Sequence, residues 1–241
     1  VLGVGNRLGT MRVDGGNADY VLVDQNVCMP LPEPLSFEDG AIIACAGGTA
    51  YHALRRADLH AGEYLLVSGL GPVGLCAVQL GNAMGGIVIG VDPEPYRRDL
   101  ALRHGARNVI DPLTDDMPAR VAEITADVFG GKGVDVIVET SGNDRARADA
   151  IKAASYHGRL AYVGFGGREA NVMLGPQLGA RWITGSNMFT GADYYALARF
   201  MLRQGLHFHD LVTHRFPIDK AQEAFDLFAS RKTGKVVFVW E

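Results

Sequence analysis

The sequence contains little cysteine, with three such residues among 241. Cys28, Cys45 and Cys76 lie far apart and form no Cys-x-x-Cys pair, which argues against a disulfide framework. This usage is typical of proteins from a reducing compartment. No secretory signal is recognisable in the sequence, and we therefore expect a cytoplasmic location.

The chain also lacks long blocks of one charge and uninterrupted hydrophobic runs. Its formal net charge is -4, a mildly acidic balance that argues against nucleic acid as a partner. Its longest apolar runs, such as residues 64–80, are broken by glycine and proline, which predicts buried strands and helices instead of membrane spans. We expect a soluble protein with a sizeable core.

From residue 64 onward, short apolar segments alternate with helical patterns. This alternation predicts an α/β fold, in which a parallel sheet carries helices on both faces. The predicted strands are 64–69, 86–91, 107–110, 134–139, 159–164 and 181–186, and the predicted helices are 72–84, 95–104, 117–129 and 144–155.

The pattern differs on either side of this region. Residues 18–24 alternate and are rich in β-branched side chains, which predicts a strand. Ser36 and Asp39 have the spacing of a capping box, so we expect a helix over 39–46 that runs into a Gly-Gly-Thr turn at 47–49. After residue 191 we predict helices at 192–204 and 219–230 and strands at 212–216 and 235–240.

The strongest chemical motif is GLGPVG at residues 69–74, placed directly between a predicted strand and a predicted helix. Gly69 permits a tight turn, Gly71 leaves room for a pyrophosphate, and Gly74 allows close packing of helix and strand. Pro72 and Val73 complete the motif, and the helix that follows offers unpaired N–H groups to phosphates. The alternative is an ordinary turn between a strand and a helix.

An acidic residue follows at the end of the second predicted strand. Asp92 stands eighteen residues after Gly74, where a carboxylate would accept the ribose hydroxyls of NAD. The same charge would repel the 2′-phosphate of NADP, although Arg97 and Arg98 are close in sequence. We therefore favour NAD; the alternative is that Asp92 caps the next helix.

Taken in order, these motifs resemble those of the zinc-dependent medium-chain alcohol and polyol dehydrogenases over essentially the whole chain. The matching pieces include ACAGGTAYHALRRADLHAGE, GLGPVG, GVDPEPYRRDLALRHGA, ETSG, GRLAYVGFGG and LVTHRFPIDKAQEAFDLFASRKTGKVVFVW. The resemblance implies a Rossmann doubly wound parallel sheet plus remnants of a GroES-like catalytic domain. It also implies the end of that catalytic domain at 1–46, the dinucleotide-binding domain at 47–185 and a segment that returns to the catalytic domain at 186–241.

The resemblance also assigns residues near the reacting groups. Cys45 would be one ligand of a catalytic zinc, and Thr49 would pack against the nicotinamide. The family's other catalytic-zinc motifs, its proton relay and its four-cysteine lobe do not occur in the sequence. We therefore expect the chain to correspond to the C-terminal two-thirds of such an enzyme, with an incomplete zinc site.

Four further residues would contact the dinucleotide according to the same resemblance. Arg97 would lie near the adenosine ribose, and Val163 would contact the nicotinamide through its backbone. Thr184 would lie near Val163, and Lys235 would reach the pyrophosphate. These positions fall in short motifs, so they depend on the resemblance alone.

The remaining chemistry-bearing residues are expected to be structural. We predict that His52 and His60 are surface or capped residues, and that His207 and His209 end a solvated helix without other ligands nearby. His214 is expected to lie in a strand and to pack against the returning domain. Cys76 is interpreted as helix packing and Cys28 as strand-end packing. Asp135 and Glu139 are placed at the start and the cofactor end of one strand.

The favoured function is that of an NAD-dependent oxidoreductase that acts on a small alcohol, polyol or carbonyl substrate. One alternative is a zinc-free, quinone-reductase-like enzyme that uses NADPH. Another is a non-catalytic module that binds NAD or forms dimers. Family members pair through the sheet edge near 171–185, so a homodimer or homotetramer is expected, because the strand at 181–186 would otherwise leave that edge open.

Overall fold

A computed structural model describes residues 15–128, 130–166 and 181–240 of the chain. Its main element is a six-stranded parallel sheet in the order β3-β2-β1-β4-β5-β6. The strands are β1 (Tyr64–Ser68), β2 (Ile87–Val91), β3 (Asn108–Ile110), β4 (Val134–Glu139), β5 (Ala154–Tyr162) and β6 (Trp182–Gly185). This order reverses between β1 and β4, which is the arrangement of a Rossmann doubly wound fold. The predicted fold class is thereby confirmed.

Helices connect and flank these strands. Before the sheet lie a 3-10 turn (Gln25–Val27), α1 (Phe37–Ile42), a π-helical turn (Ile43–Gly47) and α2 (Gly48–Arg56). Within and after the sheet lie α3 (Pro72–Ala83), α4 (Pro95–Arg103), α5 (Met117–Thr125), α6 (Asp144–Ala153) and α7 (Gly191–Gln204). The predicted helices therefore exist, although α5 ends four residues before the predicted end at 129.

The last part of the chain forms a second, smaller sheet. A 3-10 turn (Phe208–Leu211) leads into β7 (Val212–Phe216), and another (Ile218–Lys220) leads into α8 (Ala221–Ala229). The final strand, β8 (Lys235–Phe238), pairs in parallel with β7. Both strands were predicted.

The two faces of the main sheet are filled by alternate residues of the same strands. In β1, Leu65 and Val67 pack in a cluster that includes Cys76 of α3, whereas Leu66 packs on the other face with Val121 of α5. These five side chains are essentially inaccessible to solvent. Full burial of one such aliphatic side chain stabilises the fold by roughly 1.5–3 kcal/mol.

Three structural expectations are wrong. The segment 18–24 forms no strand and its side chains are mostly exposed, because no neighbouring strand pairs with it among the described residues. The expected turn at 47–49 is helical and fully buried, because the π-helical turn continues directly into α2. Cys28 is exposed after a 3-10 turn instead of packed.

The helical run from α1 to α2 crosses position 46 without interruption. The division into parts at 46 and 185 stays a prediction. No helix among the described residues is both long enough and apolar enough to cross a membrane.

Candidate functional site

The glycine motif forms the turn between β1 and α3. Gly69 has a φ of 90°, a conformation that side-chain-bearing residues rarely adopt, and its N–H donates to the carbonyl oxygen of Val91 at 2.8 Å. Gly71 is the N-cap of α3 and Pro72 its first residue, and no side chain caps the first N–H groups of the helix among the described residues. These positions are the ones that the motif predicts.

The helix and the turn touch at Gly74. A methyl group built on Gly74 would overlap the carbonyl oxygen of Gly69, so only glycine fits there. The same carbonyl oxygen accepts a hydrogen bond of 2.7 Å from the Thr140 hydroxyl, which joins the turn to the end of β4. At Gly71, by contrast, the nearest atom to an added methyl group would be Nη1 of Arg97 at 3.9 Å.

Asp92 ties the turn after β2 to the glycine turn. Its carboxylate is 5% exposed, and it accepts hydrogen bonds from the N–H of Leu70 at 2.7 Å and from the N–H of Glu94 at 2.8 Å. Asp92 therefore contributes to the start of the next helix, which was its alternative predicted role. The N-cap of α4 itself is Glu94 and not Asp92. Arg98 donates to the Asp92 carbonyl oxygen at 2.7 Å.

A cavity of about 820 Å³ lies where these turns meet, at the carboxyl ends of β1, β2 and β4. Five of the sequence-predicted site residues line it: Gly69, Gly71, Pro72, Asp92 and Arg97. Arg97 donates from Nε to the carbonyl oxygen of Thr233 at 3.3 Å, which holds the guanidinium at the cavity wall. Open α/β sheets bind ligands at this position in the fold.

The other predicted site residues do not line this cavity. Val73 and Gly74 lie behind it in α3. Thr49 is buried in α2, and Lys235 begins β8 in the second sheet. Val163 follows β5, and its N–H donates to the carbonyl oxygen of Glu139 at 2.8 Å.

Thr184 also lies away from the cavity. It is in β6, directly opposite Ala161 of β5. Its hydroxyl oxygen accepts a hydrogen bond of 2.7 Å from Nη2 of Arg56, at the end of α2. The Thr184 hydroxyl, which was expected near Val163, is thus hydrogen-bonded to an arginine of α2.

Glu139 is fully buried and organises the loop after β4. Its carboxylate accepts hydrogen bonds from the N–H and the hydroxyl of Ser141 and from the N–H of Gly142, and it lies 3.6 Å from Nε of Arg147. Burial and the nearby Glu139 charge raise the pKa of Tyr162 to about 12, against the opposing effect of Arg147. Glu139 is the last residue of β4, as predicted, and its place at the cofactor end stays a prediction.

Several cavity residues were missed from the sequence. They come from the loops after β3 and β4, from α6 and from the end of α8: Pro112, Leu113, Thr140, Ser141, Asn143, Arg145, Phe228 and Arg231. The ETSG turn was recognised as a motif, but no short-range pattern links α8 to a cavity at the ends of β1 and β2.

Cys45 lies in the π-helical turn with an exposed thiol. Such a turn is common at functional sites because it displaces one residue from the helical register. Among the described residues, no His, Cys, Asp or Glu joins Cys45 in a group able to hold a metal ion. The described residues therefore do not complete a zinc site at this thiol. Cys76 is buried as predicted, and burial raises the pKa of its thiol.

The five histidines considered above lie in four different environments. His60 is exposed beside Asp58, as predicted for a surface residue, and His214 is half-buried in β7. His52 pairs with Asp193 at 2.9 Å. The prediction for His207 and His209 is wrong, because the buried carboxylate of Asp39 lies within hydrogen-bond distance of both imidazoles.

A family model described as zinc-binding dehydrogenase matches residues 72–203, which is more than half of the chain. The chain belongs to this family. The family that the motifs predicted is thereby confirmed.

Individual relatives match beyond that region. The chain is 36% identical over 230 residues to the zinc-type alcohol dehydrogenase-like protein YphC of Escherichia coli K12, covering 93% of this chain and 63% of that protein. It is 32% identical over 238 residues to L-threonine 3-dehydrogenase of Anaeromyxobacter dehalogenans, covering 94% of this chain and 64% of that protein.

A solved member of the family has the same fold. The crystal structure of 2R,3R-butanediol dehydrogenase from Bacillus subtilis matches with a TM-score of 0.82 at 28% identity, over 95% of this chain and 65% of that chain. The chain thus spans slightly less than two-thirds of the length of these relatives.

Two of the three glycines of the motif, Gly71 and Gly74, should differ in their tolerance of a side chain. Because a methyl group at Gly74 would overlap a backbone oxygen, we expect Gly74→Ala to lower the free energy of unfolding by about 2 kcal/mol. The matched control is Gly71→Ala, which has open space and should stay within about 0.5 kcal/mol of the unchanged chain. Urea unfolding measures both, and equal losses would contradict this account of the turn.

Proposed function

We propose that this chain supplies the dinucleotide-binding part of an oxidoreductase that transfers a hydride between an alcohol or polyol and NAD. The observation that carries this proposal is the cavity in which Gly69, Gly71, Asp92 and Arg97 meet at the switch point of a Rossmann sheet. Membership of the zinc-binding dehydrogenase family supports the reaction class.

Each cavity residue has a definite task in this proposal. The pyrophosphate lies at the start of α3, where unpaired N–H groups and the helix dipole favour negative charge. Gly71 leaves the space that the phosphates need, because among the described residues only Nη1 of Arg97 comes within 4 Å of a methyl group built there. Val73 and Gly74 hold α3 against the turn. Arg97 adds a positive charge at the ribose side of the cavity.

The preference for NAD over NADP is supported by the surroundings of Asp92. Each carboxylate oxygen accepts one backbone N–H and keeps a lone pair for a ribose hydroxyl. Arg98, a candidate partner for a 2′-phosphate, is engaged by Asp111 at 2.9 Å. Asp92 also argues against the quinone-reductase-like alternative, since that class would use NADPH.

The nicotinamide end is proposed from the family resemblance. Thr49 and the backbone of Val163 would pack against the ring, with Thr184 near Val163, and Lys235 would approach the pyrophosphate. Cys45 would contribute one thiolate to a zinc ion, and the remaining ligands would have to come from outside the described residues. When bound, such an ion acts as a Lewis acid toward the alcohol oxygen.

The substrate class and the setting are further parts of the proposal. Relatives named for L-threonine and for 2R,3R-butanediol support a small hydroxyl-bearing substrate or the corresponding carbonyl compound. We also propose the predicted three-part division at 46 and 185, with GroES-like parts on both sides. Three unpaired cysteines among the described residues support a reducing, cytoplasmic compartment.

Pairing through the sheet edge is proposed as the basis of a homodimer or homotetramer. The strand β6 is an outer strand of the described sheet, with β5 as its neighbour. Trp182 at its start is 51% exposed, so a large apolar side chain stands at this open edge. Residues 171–180 of the expected contact lie outside the described residues.

Removal of the Asp92 charge should selectively weaken NADH. In Asp92→Asn we expect about tenfold weaker NADH binding, because charge-assisted hydrogen bonds to the ribose become neutral ones, and a smaller loss for NADPH. Fluorescence titration with both reduced cofactors measures this. Asp99→Asn is the matched control, since Asp99 is exposed on α4 outside the cavity. Tighter binding of NADPH than NADH by the unchanged chain would overturn the choice of NAD.

Turnover should be absent even where NADH binds. A catalytic zinc takes three protein ligands, and the described residues offer Cys45 alone at this place, so we expect the 241-residue chain to bind NADH without reducing NAD in the presence of alcohols or polyols. Metal content and NADH absorbance are measured on the same sample. Zinc near stoichiometry together with turnover that Cys45→Ser abolishes would contradict this expectation.

The proposed edge contact should depend on Trp182. A charge at this position would be buried on pairing, so we expect Trp182→Glu to convert the assembly into monomers in light-scattering measurements. Trp240→Glu is the control, because Trp240 is similarly exposed at 45% but lies outside the main sheet. A monomeric unchanged chain would argue against pairing altogether.

A further inference from the structure

Three side chains with metal-binding atoms meet away from the dinucleotide cavity. Asp39 comes from α1, and His207 and His209 flank Phe208 at the 3-10 turn before β7. One oxygen or nitrogen of each lies within 4.8 Å of the others. Because 168 and 170 residues separate the histidines from Asp39 in sequence, only the fold brings them together.

A single carboxylate oxygen is the centre of this cluster. Oδ2 of Asp39 lies 3.2 Å from Nδ1 of His207 and 3.1 Å from Nδ1 of His209. It also accepts hydrogen bonds of 2.9 Å from the N–H and from the hydroxyl of Ser36. Two donors of Ser36 and two imidazole nitrogens thus approach one oxygen that has two lone pairs. An ion that replaced the two imidazole protons would relieve this crowding.

The backbone around the cluster holds the ligands in place. The other oxygen of Asp39 accepts the N–H of His209 at 2.9 Å. The carbonyl oxygen of His207 accepts from Nε2 of Gln79 at 3.0 Å, and Phe208 between the histidines is fully buried. Ligands fixed by their own hydrogen bonds form a preorganised site.

Burial and charge also suit a cation. Asp39 is inaccessible to solvent, whereas the side chains of His207 and His209 are 29% and 38% exposed, so an ion could reach the site from one side. Burial acts to raise the pKa of Asp39, but the hydrogen bonds from Ser36, His209 and His207 outweigh it and lower that pKa, so the carboxylate keeps its charge.

Two of the three ligand distances are close to those around a small transition-metal ion. In a tetrahedral site with bonds of about 2.0–2.1 Å, neighbouring ligand atoms are about 3.3 Å apart. The two nitrogen–oxygen distances, 3.2 and 3.1 Å, need to lengthen only slightly, and all three ligand atoms lie within 4.8 Å of one another. Two imidazoles and a carboxylate favour Zn²⁺, Co²⁺, Ni²⁺ or Cu²⁺ over Mg²⁺ and Ca²⁺, which bind oxygen ligands.

We propose that Asp39, His207 and His209 bind a divalent transition-metal ion, with water as the remaining ligand. On binding, each imidazole keeps its second proton on Nε2 and turns the lone pair of Nδ1 toward the ion. The site joins α1 to the segment before β7, so the ion would stabilise the contact between the early and late parts of the chain. It is separate from Cys45 and does not depend on dinucleotide binding.

Cobalt is the probe that distinguishes the two kinds of site. We expect Co²⁺ added to the metal-free chain to give visible d–d absorption in Cys45→Ser as well as in the unchanged chain, because no thiolate takes part. His207→Gln and His209→Gln should each weaken this binding by about tenfold or more. His60→Gln is the matched control, since His60 is an exposed histidine that also pairs with an aspartate.

Thermal unfolding provides the second measurement. Zn²⁺ at about a hundredfold excess over its Kd should raise the Tm by roughly 5 to 10 °C, and His209→Gln should remove that rise while retaining NADH affinity. Retained NADH affinity would show that the variant is folded and that the metal site is independent of the dinucleotide site. Absence of d–d absorption and of any Tm rise in Cys45→Ser would overturn the proposal and leave the cluster as a hydrogen-bonded joint.

Discussion

The close approach of α3 to the glycine turn is the constraint on which the site depends. Gly74 lies so near the carbonyl oxygen of Gly69 that no side chain fits between them. This contact fixes the direction in which α3 leaves the sheet, and the direction of the helix decides where its first N–H groups point. The geometry of the proposed phosphate site therefore depends on the packing of two backbone segments.

Two buried carboxylates hold the neighbouring loops in place by hydrogen bonds. Asp92 at the end of β2 binds N–H groups of two turns, and Glu139 at the end of β4 binds those of the loop that follows it. A buried charge is tolerated because these donors replace its hydration. Both carboxylates lie next to the cavity, so its walls consist of turns that hydrogen bonds hold in place.

Much of the Rossmann part could be predicted because its signals are local. Five-residue apolar strands and helices with a regular period are visible in a short window, and GLGPVG places the turn between the first pair. The segment 18–24 has an equally good strand pattern but forms none, since a strand also needs a partner that a local pattern does not reveal.

The features that the sequence did not predict depend on contacts between residues that are far apart in the chain. Asp39 was recognised as a capping residue, and His207 and His209 as a pair, but their meeting requires the chain to return across the sheet. The same is true of Phe228 and Arg231, which reach the cavity from the end of α8. The sequence identifies the residue types, but only the fold determines which of these residues become neighbours.

Phe208 connects the two places that carry candidate metal ligands, Cys45 and the pair of His207 and His209. Its ring lies directly against the backbone of Gly47, two residues after Cys45, and a methyl group at Gly47 would overlap it. Because ring and helix backbone are in direct contact, a displacement of the histidine segment is expected to be transmitted to the helical turn that carries Cys45. A metal ion at one position would therefore influence the geometry of the other.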